Sequence, residues 1–120
     1  MDGPDGTGRL PDVPFEQFSS LDLRIGRVES VEAFPEARQP ALKLRVDFGP
    51  VIGTLQTSAQ VTNYSDADLI GRLIVGAINL GPKRVAGFRS DFLLLGALAG
   101  EGGVALLRPD RPAQPGDRVA

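Results

Sequence analysis

A chain of 120 residues with 13 basic and 15 acidic side chains, 42% hydrophobic and 23% charged, has the makeup of one ordinary folded domain. The absence of Cys and His excludes disulfides, thiolate or imidazole metal sites, a Cys nucleophile and the commonest general base. The formal net charge of −2 is uneven: residues 1–20 hold four acids against one base, 21–90 nine bases against seven acids, and 91–120 three bases against four acids.

Residues 1–14, with Gly3, Gly6, Gly8, Pro4, Pro11 and Pro14 among acids, bury little and read as a flexible tail preceding a domain over 15–120. This opening carries neither a basic nor an apolar leader segment, and no stretch approaches the ~18 apolar residues of a membrane span. The expectation is a cytoplasmic protein without membrane insertion. Phe15 and Phe18, three apart, suit a single helical turn that pins the chain to the core.

From Leu21 to Val31 a strand is expected, in which Leu23 and Ile25 alternate with polar residues. The apolar phase then slips to Val28 and Val31, and a slip beside Gly26 predicts a β-bulge. Phe34 to Pro40 reads as a loop. Leu42, Leu44, Val46 and Phe48 alternate with Lys43, Arg45 and Asp47, the pattern of a half-buried second strand. Gly49-Pro50 turns the chain into a third strand over Ile52–Ala59.

Ser65 to Gly71 suits a short helix, capped by Ser65 and ended by Gly71. Leu73 to Ile78 is apolar and branched, as a central strand is. Leu80 to Ser90 reads as a long basic loop, Phe92 to Leu98 as a buried strand, Gly100 to Gly103 as a turn and Val104 to Leu107 as the last core strand. The Pro-rich end is expected to add an edge pairing near Val119. Three strands, then a short helix, then further strands, with the first strand bent, describe an all-β five-stranded Greek-key OB barrel with short helices. A generic small barrel or sandwich fits the same pattern.

Catalytic motifs are lacking. There is no phosphate-binding Gly-rich loop and no nucleophile elbow. Asp22 and Asp47 are carboxylates of the kind that perform acid/base work, but among 15 acids solvation and ion pairing are the ordinary roles. The expectation is no enzyme, no cofactor and no metal site.

Binding residues are better represented. An OB barrel holds ligands on its second and third strands, between the loops that follow strands one and four. Those places carry Lys43 and Arg45, Gln56 and Ser58, Arg38 in the first loop, and Asn79, Lys83, Arg84, Arg89 and Ser90 around the second. Cations contact phosphates, and amides and hydroxyls supply neutral donors and acceptors. Phe34 and Phe88 lie in the same two loops and suit a stacked base or an apolar peptide side chain. Plainer roles stand beside these. Lys83-Arg84 suits a solvated loop pair, Phe34 a barrel cap, Arg24 an internal ion pair with Asp22 or Asp47, and Asn79 a bond to backbone at a strand end.

The segments Leu21-Asp-Leu-Arg-Ile-Gly-Arg, Phe34-Pro-Glu-Ala-Arg, Leu44-Arg-Val-Asp-Phe-Gly, Thr57-Ser-Ala-Gln, Leu69-Ile-Gly-Arg and Lys83-Arg-Val-Ala-Gly-Phe-Arg-Ser closely resemble the CsaA family. These are export-related chaperones built from a tRNA-binding domain that is also appended to some methionyl-tRNA synthetases. The resemblance runs from about Phe15 to Val119. It implies an OB-fold homodimer that binds tRNA or other RNA, and also unfolded or precursor polypeptides, without catalysis or an obligatory cofactor. It assigns Asn79, Lys83, Arg84 and Ser90 to the nucleic-acid-facing segment. Leu55 stands where the family usually has a Lys, whereas Lys83-Arg84 keeps the charge of the family's Arg pair.

Overall fold

The computed structural model describes residues 8–120. Of the tail expected over 1–14, residues 1–7 lie outside the described residues, and 8–14 are exposed and form no regular element. The elements are α1 (Phe15–Ser19), β1 (Leu23–Ala33), β2 (Leu42–Asp47), α2 (Gly49–Ile52), β3 (Thr54–Ala59), α3 (Asp66–Leu69), β4 (Leu73–Ala77), β5 (Lys83–Val85), β6 (Phe88–Ser90), β7 (Leu93–Leu94), β8 (Gly96–Leu98), a 3-10 turn at Gly100–Gly102 and β9 (Val104–Leu106).

Five strands form one antiparallel sheet in the order β3-β2-β1-β4-β7. Its two ends curl together. The Asp91 amide donates to the Gln56 carbonyl at 2.8 Å, and the Thr57 hydroxyl donates to the Phe92 carbonyl at 2.7 Å. The result is a nearly closed all-β barrel of the OB kind with short helices.

Alternation along β2 explains the interior. Leu44, Val46 and Phe48 point inward, where they meet Val28, Val61, Leu69, Ile74, Phe92 and Leu106. The Phe48 and Phe92 rings meet edge to face at 4.9 Å between centroids. Gly26 and Gly76 make room for them. A Cβ on Gly76 would lie 2.8 Å from Phe92 and 2.9 Å from Phe48, and one on Gly26 2.5 Å from Val46. α3 closes one end of the barrel with Leu69, and its Ser65 hydroxyl accepts from the Asp68 amide as expected.

The bulge expected beside Gly26 lies three residues later: Val28 opposes Val46 and Ser30 opposes Arg45, leaving Glu29 without a partner residue on β2. The apolar phase slips earlier because β1 is covered on both faces. Val28 enters the barrel, whereas Leu23 and Ile25 form a second cluster with Val75 and Ala77. Ala113 and Val119 of the C-terminal segment pack on this cluster. The segment pairs with the start of β1: Gly116 donates to Ile25 at 2.7 Å, Ile25 to Asp117 at 2.9 Å and Val119 to Leu23 at 2.8 Å. The edge pairing expected near Val119 is thus present.

Three further expectations change. The long loop over Leu80–Ser90 contains a two-stranded hairpin, β5–β6, with Val85 opposite Phe88 and Ala86-Gly87 as its turn. The strand expected over Phe92–Leu98 is two strands in different sheets. β7 pairs with β4, β8 pairs with β9, and the chain crosses between them at Leu95. α1 forms over the expected Phe residues without pinning them: Phe15 is 74% exposed and Phe18 41%.

Candidate functional site

The pleat that sends Leu44 and Thr57 inward turns Lys43, Arg45, Gln56 and Ser58 outward, and the register sets Lys43 opposite Ser58 and Arg45 opposite Gln56. This is the strand face expected of the site. Beside it lies an open groove of about 950 Å³. Arg38 and Gln39 of the β1–β2 connection line it, as do Ser58 to Val61, Lys83 to Ala86 of the hairpin, and Ser90 and Phe92 to Leu94 on the side of the barrel.

Charge distinguishes this groove. The described residues of its lining include Arg38, Lys83 and Arg84 and no carboxylate, in a chain whose net charge is −2. Among the described residues no acid lies within ion-pairing distance of these three, and Arg84 donates only to the Gly87 carbonyl of its own turn, at 3.3 Å. Three exposed cations around one hollow repel one another and attract a polyanion over roughly a Debye length. The rest of the lining is largely apolar, with Val61, Phe92, Leu94, Val104 and Leu106.

The other expected site residues separate by neighbourhood. Ser58 and Ser90 line the groove, but Ser90 is 9% exposed and its hydroxyl pairs with that of Thr57 at 2.7 Å. Thr57, which the sequence reading passed over, is 1% exposed and links β3 to both Ser90 and Phe92 beneath the groove. Arg89 is turned away from the groove lining and held by Asp91 at 2.8 Å. Gln56 reaches past it to donate from Nε2 to the Arg89 carbonyl, also at 2.8 Å. Arg45 is exposed on the strand face outside the groove lining. Asn79 lies apart. Its Oδ1 accepts from the Asp22 amide at 2.7 Å and its Nδ2 donates to the Ser20 carbonyl at 2.8 Å, so it clips the end of β4 to the start of β1.

Phe34 is 4% exposed and its ring packs against Phe88 at 5.5 Å between centroids, with the Lys43 ammonium 4.7 Å from one ring and 5.2 Å from the other. Arg24 forms the internal ion pair with Asp22, at 2.6 Å, and donates to the Gly116 carbonyl. Asp47 accepts from the Gly49 amide at 2.8 Å. Both carboxylates considered for acid/base work are therefore engaged with structural partners.

A partly closed OB barrel with a cationic groove beside its seam defines a class: small OB-type binding domains. The comparisons narrow that class. The family model described as "Putative tRNA binding domain" matches residues 23–118. The CsaA chaperone protein of Picrophilus torridus is 43% identical over 91% of this chain and all of that one, with a TM-score of 0.87. For chaperone CsaA of Bacillus anthracis the values are 46%, 92%, all of that chain and 0.85. The methionine–tRNA ligase of Pyrococcus furiosus is 38% identical over 114 residues, and this chain spans 15% of its length. The chain therefore belongs to the tRNA-binding domain family in its CsaA-type form, and what it shares with such ligases is one domain.

Proposed function

We propose that this chain is a non-catalytic tRNA-binding protein of the CsaA type, acting also as an export-related chaperone on unfolded or precursor polypeptides, as a homodimer in the cytoplasm. One observation carries the RNA reading: a groove with three cations and, among the described residues, no acid, in a chain of net charge −2. Such a groove attracts phosphates locally where the overall field cannot. The apolar floor, including Val61 and Leu94, supports the polypeptide reading. The exposed Phe15, Phe18 and Leu107 support association of two copies.

Titrating the protein with tRNA and with an unfolded client at two salt concentrations tests the pair of activities. Phosphate contacts release counterions, so tRNA affinity falls steeply as salt rises, whereas apolar capture does not. A tRNA affinity indifferent to salt overturns the RNA reading. Absence of client binding leaves a pure RNA-binding module, such as the tRNA-binding cofactor of a synthetase. Light scattering reports the dimer as twice the 12.7 kDa chain mass.

A further inference from the structure

The hairpin β5–β6 carries two of the groove's three cations, yet little ties it to the barrel. β5 pairs only with β6. The hydrogen bonds from β3 reach the hairpin at its base: Gln56 Nε2 to the Arg89 carbonyl, and Thr57 with the Ser90 hydroxyl. The adjoining Asp91 amide is also held, by the Gln56 carbonyl. Nearer the turn, the anchoring contact is the Phe88 ring against buried Phe34, with the half-buried Lys43 ammonium over both rings. Phe34 opens the same β1–β2 connection that bears Arg38.

We infer that Lys43 is a positioning residue: with Phe34 and Phe88 it forms a clasp that holds the hairpin against the β1–β2 connection and so sets the spacing of Lys83 and Arg84 from Arg38 across the groove. A phosphate-contacting lysine extends its ammonium toward solvent. This one is 4.7 Å and 5.2 Å from two ring centroids and is absent from the groove lining. An ammonium over aromatic faces is attracted by their quadrupoles, and the attraction grows as the cation loses water. The groove is thereby preorganised: the hairpin's order is established before a ligand arrives, which lowers the entropic cost of binding. The functional half of this inference rests on the RNA-binding reading, and the clasp itself does not.

Two measurements on the full chain separate the parts. In hydrogen exchange without ligand, Lys43→Met is expected to speed exchange of the hairpin amides, residues 83–90, by about two- to fivefold, with the β1–β4 ladder unchanged. Lys43→Arg, which keeps a cation over the rings, restores protection. Phe88→Leu reproduces the Lys43→Met effect, and the double variant exchanges no faster than the faster single one. In tRNA titrations, Lys43→Met and Phe88→Leu are each expected to weaken binding by a similar factor of about two to five, without multiplying in the double variant. The salt slope stays within about 0.3 of the parent, because no phosphate contact is removed. Unchanged hairpin exchange in Lys43→Met overturns the clasp. Changed exchange with no tRNA binding by the parent protein retains the clasp and defeats the RNA reading. A salt slope lowered by about 0.7–0.9, with losses that multiply, makes Lys43 a phosphate contact and overturns its positioning role.

Discussion

Two hollows of similar size lie on this molecule, about 950 Å³ and about 750 Å³, and their charges differ in kind. The larger has Arg38, Lys83 and Arg84 without a carboxylate among the described residues. The smaller sets Arg72 and Arg108 against Asp68 and Asp110, and its Arg72 guanidinium also stacks over Tyr64 at 5.0 Å from the ring centroid. In the smaller hollow opposite charges offset one another and the field fades within a few ångströms. In the larger they add. Concavity is common to both hollows, and uncompensated charge is what sets the larger apart.

Replacing Arg38, Lys83 and Arg84 together by Ala attacks that contrast most directly. With charge-assisted contacts worth about 1.5–3 kcal/mol each, the triple variant should lose about 100-fold or more in tRNA affinity. Its salt slope should drop by about two units. Its thermal midpoint should move by less than about 3 °C, since the three side chains are exposed. An unchanged affinity and slope would make the two hollows equivalent and the placement of the site wrong.

Beneath the groove, Thr57→Val removes the hydroxyl shared with Ser90 and Phe92 and leaves that buried pair with its longer mutual bond, at 3.4 Å. Denaturant unfolding is expected to register a loss of about 1–3 kcal/mol, with the salt slope of RNA binding preserved. A smaller cost is expected from Arg24→Ala, outside the groove lining. Breaking the Asp22 pair and the bond to Gly116 should reduce stability by about 1 kcal/mol and loosen the C-terminal segment in hydrogen exchange. The smallest effect belongs to the balanced hollow: Arg108→Ala should leave tRNA affinity within about twofold. A loss matching that of a groove cation would show that the smaller hollow is also part of the interface.

The β2 alternation, the Ser65 cap and the strand at Leu73 were visible because each rests on local spacing. The hairpin at 83–90 was not visible. Its two-residue turn holds Ala86 at φ 47° and Gly87 at φ 80°, a pairing for which Asn-Gly is the usual signal. Ala-Gly carries no such flag, and contacts with distant segments, such as Phe88 on Phe34, offset the strain at Ala86. Arg38, Lys83, Arg84, Ser58 and Ser90 were expected together and do line one groove. Arg89 and Asn79 were expected with them and take other partners, Asp91 and the Ser20–Asp22 backbone.

Composition and periodicity by themselves determined that this chain is a small strand-rich domain lacking His and Cys chemistry, with its cations gathered in the middle of the sequence. Those properties follow from side-chain type and from the two-residue repeat of a strand, which each residue carries with it. Only the tertiary structure decided which cations keep their charge available. That depends on whether an acid, a carbonyl or an aromatic face from a distant segment comes within a few ångströms: Asp91 for Arg89, Gly116 for Arg24, Phe34 and Phe88 for Lys43, and for Arg38 and Lys83 none of these among the described residues.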